Sequence, residues 1–165
     1  IMKKLIITVG VMSATCGITH AQDIKESEVP AAVKEALKKQ YPNVKEVEWE
    51  KEGNNYEAEI ELVQVSMDGK GKKREVEKSL EYTATGELIQ TEEEIEIKTL
   101  PAAINEYVSK NYAGKKIKEA SKITEANGTV KYEAEVEKQD LIFDANGAFL
   151  TKEATKDNDD DKKKD

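Results

Sequence analysis

The stretch "VPAAVKEALKKQYP", residues 29–42, returns as "LPAAINEYVSKNYA", residues 100–113. The chain has 165 residues, so what one copy builds decides most of the fold. Pro30 stands where proline is tolerated, in the first turn of a helix. Val29, Val33 and Leu37 recur every four residues with Ala36 beside them, while Lys34, Glu35, Lys38 and Lys39 fall on the other side. That is one apolar stripe on a short amphipathic helix, ended by Tyr41-Pro42. In the second copy Leu100, Ile104 and Val108 make the same stripe over residues 101–112.

After the first helix the period changes from 3.6 to two. Val47 and Trp49 oppose Glu46, Glu48 and Glu50, and Tyr56, Ala58, Ile60 and Leu62 oppose Glu57, Glu59 and Glu61. Gly53-Asn54-Asn55 is the turn between them, so the pattern predicts a hairpin with one core face and one acidic face. A returning strand carries Val76, Leu80 and Tyr82, and the last strand covers residues 88–97. The second copy repeats the plan, with a strand over 117–124 and an Asn127-Gly128 hairpin turn. There "YEAEV" (132–136) answers "YEAEI" (56–60), and "LIFDANGAFLTKE" (141–153) answers "LEYTATGELIQTE" (80–92). The fold class expected is therefore α+β, a tandem repeat of one helix packed on a roughly four-stranded antiparallel sheet. One such unit is marginal alone, so two copies side by side enlarge the core.

The N-terminus reads as a targeting segment. Lys3 and Lys4 precede an apolar run, and Thr19-His20-Ala21 is a small-residue cleavage site. We expect a signal peptide over 1–21, a first repeat over 22–97, a second over 98–154 and a disordered charged tail over 155–165. Residues 22–27 read as a polar lead-in. Ser13 and Thr15 do not fit a lipobox around Cys16, so plain secretion to the periplasm or medium is the expectation, with no membrane span once the signal is cut. Cleavage removes the only Cys and the only His. It also leaves 24 − 34 = −10 formal charges, since Lys3 and Lys4 leave with it. Such a chain is repelled by nucleic acid and by anionic membranes.

Without imidazole or thiol, the Ser-His-Asp and Cys-His schemes and the usual zinc sites are out. We assign no catalytic residue, no metal and no cofactor, and expect no enzyme. "DANG" (144–147) lacks the ligand spacing of a calcium loop and reads as a turn, matching 83–86. Asn127-Gly128-Thr129 is a glycosylation acceptor sequence that the hairpin explains sufficiently. Trp49, Tyr56 and Tyr132 read as core.

Two stretches stand out as candidates for binding. Tyr56 to Leu80 is 24 residues where Tyr132 to Leu141 is 9, so the first copy holds a hairpin about 20 Å longer. It contains Val63, Val65, Met67, Asp68, Lys70, Lys72, Lys73 and Arg74, a basic cluster in an acidic protein. One reading is a projecting recognition hairpin; the other is a solvated hairpin whose lysines guard an edge. The second stretch is the acidic sheet face: Glu46, Glu48, Glu50, Glu57, Glu59, Glu61, Glu75 and Glu77. It reads either as a water-exposed face with splayed side chains or as a place for a cation or a basic peptide.

"VPAAVKEALKKQYPNVKEVEWEKEGNNYEAEIE" resembles the secreted PepSY-like domains described as beta-lactamase-inhibitor-like. The marks are the L/V-P-A-A helix start, the Tyr-Pro exit, the Val-x-x-Val-x-Trp and Tyr-Glu-Ala-Glu strands and the Gly turn before the last strand. In the second copy Ala113 replaces the Pro, and Ser121 stands roughly where Trp49 would fall. The resemblance implies a periplasmic or secreted protein with the helix-on-antiparallel-sheet fold in tandem; a better-known relative by fold is a protein inhibitor, but inhibition does not follow from fold alone. Our own reading is a non-catalytic module that presents a sheet face and the 63–74 hairpin to a protein partner, such as an envelope enzyme. The competing expectation is a small-ligand or cation binder using the acidic face.

Overall fold

A computed structural model of the chain describes residues 22–65 and 73–154, excepting the side chains of Gln64, Val65 and Ala154. The signal segment, the hairpin tip with Met67, Asp68, Lys70 and Lys72, and the tail lie outside the described residues. The elements in chain order are β1 (Gln22–Asp23), α1 (Ala31–Gln40), β2 (Glu48–Glu52), β3 (Asn55–Val65), β4 (Lys73–Thr83) and β5 (Leu88–Glu94). Then come α2 (Ala102–Asn111), β6 (Ala120–Glu125), β7 (Val130–Val136), β8 (Gln139–Asp144) and β9 (Phe149–Ala154). Single turns of 3-10 helix, Glu26–Glu28 and Ile97–Thr99, precede the two helices. The chain is α+β, and every strand pairing described within its units is antiparallel.

The described residues divide into two compact units. Residues 22–94 form one together with 123–129, and residues 95–122 and 130–154 form the other. In the first, β1 to β5 pair in chain order. Pro30 caps α1 and its carbonyl accepts from Val33 and Lys34. Proline suits this position because its missing N–H would have no helical partner there. Val29, Val33 and Leu37 are buried against Trp49, Ala58, Ile60, Leu80 and Tyr82. Fully burying each large side chain of that set is worth about 1.5–3 kcal/mol. The Tyr82 hydroxyl finishes the contact by donating to Gln40 Oε1 at 2.9 Å.

In the second unit Leu100, just before α2, and Ile104 and Val108 of α2 are buried with Ala134, Val136, Leu141 and Phe143. Tyr107 stacks on Phe149 at 4.8 Å between ring centroids and meets Phe143 edge-on at 5.4 Å. Asp144 closes the turn between β8 and β9: its Oδ1 accepts from the backbone N–H groups of Asn146 and Ala148, at 2.8 and 2.9 Å. "DANG" is thus a turn built by an aspartate that caps its own backbone.

Each turn of this type ends in a glycine that touches a helix start. Gly86 has φ +84, and a Cβ there would lie 2.6 Å from the Ala32 carbonyl oxygen. Gly147 has φ +85, and its Cβ would meet Ala103 Cβ at 3.0 Å. The small residues of V/L-P-A-A and the turn glycine are therefore two sides of one contact, made separately in each unit.

Three boundaries and one inward-facing side chain differ from the sequence reading. The lead-in contains β1, because Gln22 and Asp23 reach the open edge of β2. The strand expected over 88–97 stops at Glu94, since the chain must turn through Ile97–Thr99 to bring Pro101 to the helix start. The strand expected over 117–124 runs from Ala120 to Glu125 instead. Finally, the side chain of this strand that joins the second core is Ala120; Ser121 is buried outside that cluster.

Candidate functional site

Strand alternation puts the apolar side chains of β2–β5 under α1 and sends the others to the opposite face. That face is ordered in rungs. Glu50, Glu57, Glu81 and Gln90 stand opposite one another across β2, β3, β4 and β5, and Glu48, Glu59, Ser79 and Glu92 form the next rung. Beyond them come Glu61 opposite Glu77 and Val63 opposite Glu75.

The middle of the face is buried. Glu57 is 7% exposed, Glu81 4% and Glu92 2%, with Ser79 and Gln90 buried beside them. Ser79 Oγ donates to Glu57 Oε1 at 2.5 Å, and Asn55 Nδ2 donates to Glu81 Oε1 at 2.8 Å. Glu81 Oε2 is buried with no hydrogen-bond partner among the described residues. Burial, and then the carboxylates of Glu92, Glu50 and Glu81, push the Glu57 carboxyl up to about 8, against the opposing hydrogen bond from Ser79. Burial likewise raises Glu81, with Glu52 adding to it and the Asn55 amide opposing.

The sequence-derived acidic face is thus graded in burial. Glu48, Glu61 and Glu75 are exposed at its margin; Glu50, Glu59 and Glu77 are half-buried; Glu57 is buried; Glu46 precedes β2. A face of uniformly splayed, water-exposed carboxylates is not what forms. Alternation alone missed Glu81 and Glu92, because a buried acidic row and a solvated one share the same period. The signal that was there is Ser79 and Gln90, uncharged polar residues in the middle of the glutamate ladder. In the other unit Glu133, the counterpart of Glu57, is also buried, but it stands opposite Ile142.

The long hairpin can be measured against its counterpart. The β7–β8 ladder turns over after Val136↔Gln139, at Glu137 and Lys138 with positive φ. The β3–β4 ladder passes the matching rung, Ile60↔Lys78, and continues through Glu61↔Glu77, Leu62↔Val76, Val63↔Glu75, Gln64↔Arg74 and Val65↔Lys73. Those further rungs add about 17 Å at strand rise. Val63 is 63% exposed on the acidic side, Lys73 is exposed, and Arg74 donates to the Glu94 carbonyl at 3.1 Å. Arg74 therefore braces the hairpin to β5.

Among the described residues no group of three acidic, histidine or cysteine side chains converges to hold a metal ion, and no helix is long and apolar enough to cross a membrane. The architecture defines a class: an antiparallel α+β module whose helix covers one sheet face and leaves a glutamate-lined face on the other side. Within that class the chain belongs to the PepSY-like family, described as beta-lactamase-inhibitor-like; the family pattern matches residues 17–74 and again 72–151.

Solved structures agree on the fold. A protein from Bacteroides eggerthii described as periplasmic aligns at 17% identity with a TM-score of 0.61, over 76% of this chain and 88% of its own. A BLIP-like protein from Bacteroides fragilis aligns at 26% identity and a TM-score of 0.55, over 79% of this chain and 90% of its own. No curated protein matches the sequence.

Proposed function

We propose that the chain is a non-catalytic binding module of the periplasm or secreted space, built from two tandem family repeats. It offers the sheet face opposite α1, together with the 63–74 hairpin, to a protein partner, and an envelope enzyme held in an inhibitory complex is the form that fits the family. The observation that carries this reading is the β3–β4 ladder. It runs five rungs past its counterpart and sets an exposed Val63 beside the exposed Glu61 and Glu75. An apolar side chain within a charged rim is how docking surfaces are commonly composed. The periplasmic description of the Bacteroides eggerthii structure supports the compartment.

The test is affinity capture from the producing organism's envelope extract. The bait is residues 22–165, beside a version with 68–74 replaced by a two-residue turn. A captured protein is then titrated against both baits by calorimetry and assayed for inhibition. Loss of binding with the trimmed bait supports the reading. Equal binding by both baits overturns the hairpin's role, and turnover of any substrate by the bait alone overturns the non-catalytic assignment.

A further inference from the structure

We propose that the cross-strand pair Glu57–Glu81 is a proton-holding switch built into the sheet: the folded protein keeps a proton on Glu57 at neutral pH, and removing it loosens the β3–β4 ladder. The geometry gives the reason. The two side chains stand directly opposite each other on one face, a spacing of about 4.5–5.5 Å between their Cβ atoms. Both are buried.

The groups facing the pair come from all four strands. Glu50 and Glu52 come from β2, Asn55 lies two residues before Glu57 on β3, Ser79 is on β4, and Glu92 is on β5. The two hydrogen-bond donors, the Ser79 hydroxyl and the Asn55 amide, are neutral. No Lys or Arg among the described residues pairs with either carboxyl. Two carboxylates in such a place cannot both ionise without cost, so one stays protonated. Glu81 is slightly the less exposed of the two, but Glu57 has more acidic neighbours, Glu92, Glu50 and Glu81, and these add to burial in raising its titration to about 8.

The sign is the reverse of the usual carboxylate case. An unfolded chain releases this proton near 4.5, whereas the folded one holds it to about 8. Folding therefore binds a proton throughout that window. The group's contribution to stability is complete below pH 4.5, declines as pH rises through the window and is lost above pH 8. At pH 7 the folded protein therefore favours the protonated carboxyl, which the unfolded chain has already given up.

The test is a pH titration of the full chain with carboxyl carbons labelled in glutamate, read by NMR from pH 4 to 10 beside thermal midpoints over the same range. The expected result is one carboxyl of the pair titrating near 8 and a midpoint that falls steadily from pH 5 to pH 8. Glu57→Gln keeps the shape without the titration, so its midpoint should be flatter over that window. Both carboxyls titrating near 4, or an unchanged pH slope in Glu57→Gln, overturns the proposal. Should Glu57→Gln not fold, the wild-type titration decides alone.

Discussion

Replacing the turn glycines by alanine tests how each helix is seated on its own sheet. Gly86, Gly147 and Gly128 share nearly one backbone conformation, φ +84, +85 and +88. Alanine in that left-handed region costs about 1–2 kcal/mol wherever it is placed. The surroundings then separate the three sites. At Gly128 a Cβ meets nothing within 4 Å, so Gly128→Ala should lose only the conformational term. At Gly147 the new methyl meets Ala103 Cβ at 3.0 Å and Ile104 Cγ1 at 3.2 Å, which are side-chain atoms with some room to give. At Gly86 it meets the Ala32 carbonyl oxygen at 2.6 Å and carbon at 2.9 Å. Backbone cannot rotate away, so the first turn of α1 must shift, at an overpacking cost of about 1–3 kcal/mol on top of the strain. The expected losses are about 1–2 kcal/mol for Gly128→Ala and about 2–5 kcal/mol for Gly86→Ala, with Gly147→Ala between them. Urea unfolding with a common m-value reads all three from their midpoints. Equal losses at the three sites, or the largest at Gly128, would refute the idea that these turns clamp the helix starts.

Asp144→Ala removes the acceptor for two backbone N–H groups and should cost about 1–3 kcal/mol in the same urea assay, whereas Thr83→Ala, whose Oγ1 accepts one backbone bond at 3.2 Å from Glu87, should cost less. Leu80→Ala empties a fully buried site of β4 in the core beneath α1 and should cost about 2–5 kcal/mol; a loss under 1 kcal/mol would show that the core collapses around it.

Much of the fold was legible in the sequence because it rests on two periods. The four-residue spacing of Val29, Val33 and Leu37 put one stripe on α1, and the alternation through Tyr56, Ala58 and Ile60 put one face under it. The proline at each helix start was readable for a local reason, its missing N–H. Ends of strands were less legible. Ile95 and Ile97 continue an apolar alternation, yet the approach to Pro101 forces a 3-10 turn that no period announces. The candidate site was half legible. Its residues could be assigned to a face, but burial of Glu57 comes from the rungs of β4 and β5 beside it, and cross-strand partners are set by register rather than by local pattern. The contact between Gly86 and Ala32 was hidden for the same reason: both residues were noticed, fifty-four positions apart, as separate punctuation.

The recurrence of Tyr-Glu-Ala-Glu gives the chain its own reference compound. Glu57 and Glu133 occupy the same place in that phrase, are both buried, and differ in the residue across the ladder, a glutamate in one case and Ile142 in the other. Any spectrum that resolves both carboxyl carbons compares them in one tube, under identical salt, temperature and concentration. Drift in electrode calibration moves the two curves together, so their separation reports the local environment alone.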